Sequence, residues 1–187
     1  VNRWPDLVGF RDTILTFFDA AWDLGVALHT SFARDMGLEP DYFADQFDAP
    51  MAILRLLSYP AARGVENEIG AGAHTDYGSI TLLMTDGVAG LQIQTKEQGW
   101  LSVPHVQDAF IVNIGDCLMR WTNNLYVSTP HRVLPPPRPR RSLAFFLDPN
   151  PDSLIKALPG TGSPVYPPVL ASDYLRSRLD ATYKGLQ

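Results

Sequence analysis

The sequence predicts a mainly β protein with flanking helices, built as a sandwich or jelly roll. Between residues 51 and 150, short apolar runs alternate with turn residues such as Asp86-Gly87 and Gln98-Gly99. Regularly spaced short strands are typical of sandwiches and jelly rolls, whereas parallel α/β sheets need a helix between successive strands. A helical pattern before this region and a proline-rich stretch with a final helix after it complete the outline.

The first fifty residues predict a helical layer that supports the sheet. Apolar side chains recur every three or four positions over 7–32, which predicts an amphipathic helix beginning after Pro5-Asp6 and ending near Gly37. Segment 39–47 predicts a short helical turn. His29 lies on the long helix, and we expect it to pack rather than bind a metal, because no partner lies at ligand spacing.

The predicted strands begin after Pro50 and are separated by glycine- and aspartate-containing turns. They cover residues 52–59, 80–84, 91–95, 100–103, 109–114, 117–121, 131–134 and 142–147. The proline- and glycine-rich stretch 149–168 predicts a surface loop or a flap over a pocket mouth. Ser172 then caps a last helix, with Leu175 and Leu179 on its apolar face and Gly185 as its stop.

Length and charge limit the organisation and the partners. A chain of 187 residues is expected to form one structural domain, with a helical support at 1–50, a jelly-roll core at 51–150 and a loop and C-terminal helix at 151–187. The net charge of −5 disfavours nucleic acid as a partner, and no apolar run is long enough to cross a membrane. The single Cys117 fits a reducing compartment, so we expect a soluble, cytoplasmic protein.

Three residues have the spacing of a metal site. In an extended segment alternate side chains share a face, so His74 and Asp76 can point the same way. His131 can supply a third ligand from a distant segment. Two imidazoles and one carboxylate form the facial triad that leaves open coordination positions on non-haem iron(II).

A candidate anion site follows nine residues after His131. Arg140 and Ser142 are two positions apart, so a strand would direct both side chains inward, together with Phe146. A guanidinium offers two parallel N–H donors that match the two oxygens of a carboxylate. Arg141 is out of phase and is expected to point to the opposite face.

Together these motifs resemble the 2-oxoglutarate- and iron(II)-dependent oxygenases, in the isopenicillin N synthase-like branch. The blocks 70–78 and 115–124 also resemble that branch, and the similarity extends over about 53–150. The resemblance implies a double-stranded β-helix, or jelly roll. Relatives in this branch carry a further N-terminal region, so we expect the chain to be a fragment of a longer protein; a processed short protein is the alternative.

Residue by residue, the resemblance implies three functional groups. The metal ligands would be His74, Asp76 and His131. The distal carboxylate of 2-oxoglutarate would be held by Arg140 and Ser142, with Tyr59 reaching the co-substrate or the substrate. Many plant relatives place asparagine two positions before this tyrosine, where this chain has Leu57. The apolar side chains expected to line the substrate pocket are Leu82, Met84 and Phe146.

The implied reaction uses iron(II), 2-oxoglutarate as co-substrate and dioxygen. Oxidative decarboxylation would yield succinate and carbon dioxide while a small organic substrate is hydroxylated, desaturated or cyclised. Two alternatives stay open at this point. One is an oxidase of the same fold that uses no 2-oxoglutarate, and the other is a non-catalytic jelly-roll module, whose structural metal would need a fourth protein ligand. The sequence does not predict the substrate or the oligomeric state.

Overall fold

Two four-stranded antiparallel sheets form the core of the computed structural model, which describes residues 2–184, with side chains up to residue 182. One sheet has the order β1-β8-β3-β6, and the other has the order β2-β7-β4-β5. The eight strands are β1 (Ala52–Tyr59), β2 (Ala71–His74), β3 (Ile80–Thr85), β4 (Leu91–Thr95), β5 (Gly99–Ser102), β6 (Ile111–Ile114), β7 (His131–Val133) and β8 (Arg140–Leu147). This is the expected jelly roll, because consecutive strands alternate between the two sheets at most steps.

Helix α1 (Phe10–Asp35) packs against strands β3 and β8 of the first sheet. It begins three residues later than expected, because Gly9 adopts a left-handed conformation with φ of 75° and separates the helix from the preceding turn. Its most buried line consists of Ala21, Gly25, His29 and Ala33. The small side chains in this line allow close approach: a Cβ on Gly25 would lie 2.5 Å from Cδ2 of Leu147. None of the described helices is long and apolar enough to cross a membrane.

His29 is a buried packing residue, as the sequence predicted. Its Nδ1 donates a hydrogen bond to the carbonyl of Gly25 at 2.7 Å, and its Nε2 accepts one from the hydroxyl of Ser79 at 2.6 Å. Both bonds suit a neutral imidazole. Burial lowers the pKa of His29 from 6.5 to about 4.

The protein should therefore lose stability as His29 is forced to take up a proton. Between pH 6.5 and about pH 4 the unfolded chain binds this proton and the folded chain does not. The free energy of unfolding should fall by about 3 kcal/mol across this interval. Urea denaturation at several pH values measures it, with His29→Gln expected to flatten this part of the dependence and His105→Gln to leave it unchanged. Equal pH slopes for wild type and His29→Gln would contradict the assignment.

Residues 117–121 form part of a helix, so the strand predicted there is wrong. Helix α2 (Asp116–Trp121) starts directly after Gly115 and buries Cys117, Leu118 and Trp121. A short apolar run fits a buried strand and a buried helical turn equally well. The buried positions 117, 118 and 121 have helical rather than alternating spacing.

The segment 149–168 is packed in its first half, up to Leu158, and is a largely exposed surface loop after it, as predicted. It contains β9 (Leu154–Ile155), which pairs with β10 (Val169–Leu170), and Ile155 and Leu158 are buried. Trp121 anchors the segment, since its indole Nε1 donates to the carbonyl of Leu154 and its own carbonyl accepts from the N–H of Leu158. The first half of the segment is therefore a structural layer over α2.

The last helix, α3 (Ala171–Lys184), is present as predicted, but it begins before Ser172, so that residue is not its cap. It packs only in part through the predicted face. Leu175 is half-buried on the packing side, whereas Leu179 is 40% exposed. The packing face instead contains Ala171, Tyr174 and Arg178. The predicted stop at Gly185 lies outside the described residues.

Candidate metal centre and its pocket

The two sheets bring the three predicted metal ligands together. His74 ends β2 and His131 begins β7, and the two residues are paired in the register of those strands. Asp76 follows two residues after His74, and its Oδ1 lies 3.9 Å from Nε2 of His74 and 3.7 Å from Nε2 of His131. The ligand atoms all lie within 4.8 Å of one another, which confirms the convergence expected from the sequence.

Hydrogen bonds orient all three side chains for metal binding. Nδ1 of His74 donates to the carbonyl of Gly72 at 2.7 Å, and Nδ1 of His131 donates to the carbonyl of Thr129 at 3.1 Å. A neutral imidazole that donates through Nδ1 presents the lone pair of Nε2, so both lone pairs face Asp76.

The two carboxylate oxygens of Asp76 have different partners. Its Oδ2 accepts hydrogen bonds from the hydroxyl of Thr81 at 2.6 Å and from the amide of Asn113 at 2.8 Å. Its other oxygen, Oδ1, faces the two imidazoles. Fixed outer contacts of this kind hold a ligating carboxylate in place.

This donor set fits iron(II) better than a structural zinc. Two imidazoles and one carboxylate suit a non-haem iron(II) centre with open positions. A structural zinc site is normally closed by four protein ligands. Over the part of the chain that the structure describes, the cluster contains three possible ligands and no fourth.

The loop that carries Asp76 is fixed by the start of helix α2. Backbone N–H groups of Gly115, Asp116 and Cys117 donate to the carbonyls of Ser79, Asp76 and Gly78, respectively, at 2.8–2.9 Å. Gly115 permits this close approach, because a Cβ there would overlap the carbonyl of Gly78. Gly78 in turn has no room for a side chain against Asp148. Burial, with a smaller contribution from the charge of Asp76, raises the pKa of Asp148 to about 7.

Helix α3 supports the same loop from the other side. The hydroxyl of Tyr174 donates to Oδ2 of buried Asp116 at 2.7 Å, and Arg178 lies 3.9 Å from that oxygen. The hydroxyl of Thr75 also donates to it, at 3.4 Å. Arg178 lies over the ring of Tyr77 at 5.2 Å. The C-terminal helix therefore contacts Tyr77 directly and Thr75 through the carboxylate of Asp116.

Tyr174→Phe should weaken iron(II) binding without removing a ligand. The change deletes one hydrogen bond to Asp116, whose N–H holds the backbone carbonyl of Asp76. Loss of a direct partner of a metal ligand lowers metal affinity by about tenfold or more, and Tyr174 is one contact further out, so we expect a fall of about twofold to tenfold. Anaerobic iron(II) titration of purified protein measures the effect.

Tyr166→Phe is the matched control for this prediction. The Tyr166 hydroxyl donates to Oδ1 of Asn124 at 2.6 Å, and Arg120 lies over both tyrosine rings. This variant loses a comparable hydrogen bond away from the loop that carries Asp76. Equal iron affinities for the two variants would show that Tyr174 does not position the ligand.

The predicted anion site lies in the same cavity as the metal ligands. Arg140, Ser142 and Tyr59 line this cavity of about 310 Å³ together with the three ligands. Arg140 is 1% exposed; its Nε donates to the carbonyl of Val88 at 3.2 Å and its Nη1 to the hydroxyl of Ser142 at 3.4 Å. Among the described side chains no carboxylate lies within 4.0 Å of it. The carboxylate of Asp86 acts on this charge only from beyond 4.0 Å. A buried cation without a carboxylate in contact is costly, so this position favours an anionic ligand.

Tyr59 supports the guanidinium from the neighbouring strand. It pairs with Arg140 in the register of β1 and β8, and its ring centre lies 5.2 Å from Cζ of Arg140. Arg141 points the other way and is exposed, as its phase predicted.

The apolar pocket residues were predicted only in part. Phe146 lines the cavity, but Leu82 and Met84 do not, and those two predictions are wrong. Leu82 is fully buried in the core, and Met84 lines a separate hollow with Leu56 and Leu143. Apart from Thr81, the run from Ile80 to Met84 is apolar at odd and even positions alike. The alternation of polar and apolar residues therefore does not indicate which of its faces points into the cavity. The cavity face of β3 carries Thr81 and Leu83.

Thr81 and Asn113 are site residues that the sequence reasoning missed. Each is a polar side chain with apolar neighbours along its strand, and each donates a hydrogen bond to Oδ2 of Asp76. A polar residue within a buried strand requires a hydrogen-bond partner. A polar side chain within a predicted buried strand was therefore the sequence signal that could have identified Thr81 and Asn113.

Comparison with known proteins agrees with this geometry. The family model described as the 2OG-Fe(II) oxygenase superfamily matches residues 50–149, just over half of the chain. The chain belongs to this superfamily. A member from Emericella nidulans, the 2-oxoglutarate-Fe(II) type oxidoreductase hxnY, is 36% identical over 97% of this chain and 56% of its own length.

Solved structures of the superfamily have the same fold. A full-length Neurospora crassa protein, solved in complex with alpha-KG, matches with a TM-score of 0.90 and 38% identity, over 96% of this chain and 61% of its own. JOX2 in complex with 2OG, Fe and JA matches with a TM-score of 0.85 and 33% identity, over 93% of this chain and 54% of JOX2. The chain thus spans about half to three fifths of the length of these relatives.

Proposed function

We propose that this chain forms the catalytic jelly roll of an iron(II)- and 2-oxoglutarate-dependent dioxygenase that oxidises a small organic molecule. One observation carries the proposal: a single cavity contains a three-ligand cluster and a buried guanidinium that lacks a carboxylate partner among the described side chains. A metal with open positions and a cation for a dicarboxylate are the two requirements of this chemistry. The similarity to the Neurospora crassa protein bound to alpha-KG supports it.

The residues of the chain bind and orient the reactants. His74, Asp76 and His131 would hold the iron on one side and leave the cavity side for ligands. Arg140 and Ser142 would receive the distal carboxylate of 2-oxoglutarate, with Tyr59 packed against the guanidinium. When bound, iron(II) and 2-oxoglutarate supply dioxygen activation and the oxidative decarboxylation that yields succinate and carbon dioxide.

The two alternatives fit the molecule less well. A non-catalytic metal module would be expected to close its coordination shell, and the described cluster has three ligands. An oxidase without 2-oxoglutarate would leave the charge of Arg140 to be balanced by another anion. Small molecules are the substrate class that we propose, because the Neurospora crassa protein was solved in complex with thymine and with 5-formyluracil.

The test is production of succinate from 2-oxoglutarate by the purified protein. We expect it to require both added iron(II) and dioxygen, and to proceed slowly without a substrate. Omission of either component serves as the control. Succinate formation that continues without iron would contradict the proposal, and consumption of dioxygen with 2-oxoglutarate left intact would favour the oxidase.

A further inference from the structure

A second guanidinium lines the cavity, and neither the metal site nor the anion site uses it. Arg55, Leu57 and Tyr59 alternate along β1, so all three side chains lie on its cavity face. The side chain of Arg55 is exposed, whereas that of Arg140 is buried. Among the described residues no carboxylate lies within 4.0 Å of Arg55. Its charge is therefore available to a ligand.

Strand register places Arg55 on the cavity wall that β1, β8 and β3 form, away from the deep anion site. Arg55 is opposite Ala144, which is opposite Leu83 on β3. Neighbouring strands are about 4.8 Å apart, so the Cα of Arg55 lies roughly 10 Å from that of Leu83. Two residues along these strands, Phe146 is opposite Thr81, whose hydroxyl donates a hydrogen bond to Asp76. In the other direction, the pair Tyr59 and Arg140 lies four residues from the pair Arg55 and Ala144.

An aromatic ring and apolar side chains surround Arg55 on the cavity face. Its Cζ lies 5.9 Å from the centre of the Phe146 ring, within range of a cation–π interaction. Leu57, Leu83 and Ile93 line the same cavity. This part of the cavity offers one cation to a polar group and an apolar wall to the rest of a ligand.

We propose that Arg55 is a specificity-determining residue that selects a prime substrate bearing a carboxylate. This inference rests on the proposed function. The charged side chains that line the cavity are Asp76, Arg140 and Arg55. Iron(II), Asp76, the two carboxylates of 2-oxoglutarate and Arg140 sum to zero charge, so Arg55 leaves one positive charge for a monoanion. A guanidinium fork matches a carboxylate through two parallel hydrogen bonds. The substrate is thus a small organic acid whose apolar body packs on Phe146 near the metal.

The test compares acids with their neutral amides in the iron(II)- and 2-oxoglutarate-loaded protein without dioxygen. The probes are phenylacetate, cinnamate and hexanoate with the three corresponding amides, and calorimetry gives their dissociation constants. We expect at least one acid to bind wild type at least tenfold more tightly than its amide, and Arg55→Gln to remove that preference. Arg55→Lys should retain part of it. Arg141→Gln removes the same charge from the opposite face and should keep the preference.

Three outcomes would overturn the inference. They are equal binding of every acid and its amide to wild type, an unchanged preference in Arg55→Gln, and loss of 2-oxoglutarate affinity in Arg55→Gln, which would place Arg55 in the co-substrate site. The visible absorption band of the iron–2-oxoglutarate complex is recorded first. Its absence from wild type would count against the proposed function, whereas its presence with a wrong acid preference would count against Arg55 alone.

Discussion

His131→Ala is expected to abolish iron(II) binding and, with it, succinate formation. The substitution leaves two protein ligands, one of which is the 42% exposed His74. It also leaves Oδ1 of Asp76 facing a single imidazole instead of two. Loss of one of three ligands should lower activity to background, a fall of more than about a thousandfold, because the remaining chemistry depends on the metal.

The control for this variant is His105→Ala. His105 contacts the hydroxyl of Thr85 at 3.2 Å and lies outside the three-ligand cluster, so its loss should leave iron binding intact. Anaerobic iron(II) titration and succinate release measure both variants, and a thermal melt shows whether each is folded. Full turnover in folded His131→Ala would remove His131 from the metal centre.

Arg140→Gln is expected to weaken 2-oxoglutarate about a hundredfold while iron(II) binding is retained. The guanidinium is buried and held in place by the carbonyl of Val88 and the hydroxyl of Ser142. Removing it would leave the distal carboxylate of the co-substrate without a cation in a largely apolar cavity. A charge-assisted contact contributes about 1.5–3 kcal/mol, and about 2.7 kcal/mol corresponds to roughly a hundredfold in affinity.

Two further variants separate charge from geometry at this position. Arg140→Lys keeps the charge but loses the paired donors, so it should fall between wild type and Arg140→Gln. Arg141→Gln loses the charge of an exposed neighbour and should bind 2-oxoglutarate as wild type does. An unchanged 2-oxoglutarate dissociation constant in folded Arg140→Gln would show that this arginine does not hold the co-substrate.

The fold and the centre of the site were predictable because their signals are local. Strand β1 ends at Tyr59 before Pro60, and β4 has its predicted bounds. His74, Asp76, His131 and Arg140 are spaced in a way that only a shared site explains well. Each of these features depends on residue type and on spacing along the chain.

The parts that were not predicted depend on contacts between distant segments. Residues 117–121 are apolar in a pattern that fits either a strand or a helix, and the packing of Trp121 against Leu154 favours the helix. Leu82 and Met84 were assigned to the pocket because β3 is apolar on both faces. The hydrogen bond from Tyr174 to Asp116 joins residues 58 positions apart, and the local sequence around neither residue indicates it.

Anaerobic titration of the iron(II)-loaded protein with 2-oxoglutarate tests the central claim most directly. If the three ligands leave adjacent positions open and Arg140 receives the distal carboxylate, chelation should produce a visible charge-transfer band that saturates at one 2-oxoglutarate per chain. The absence of such a band at millimolar 2-oxoglutarate, in protein shown to contain iron(II), would contradict the account.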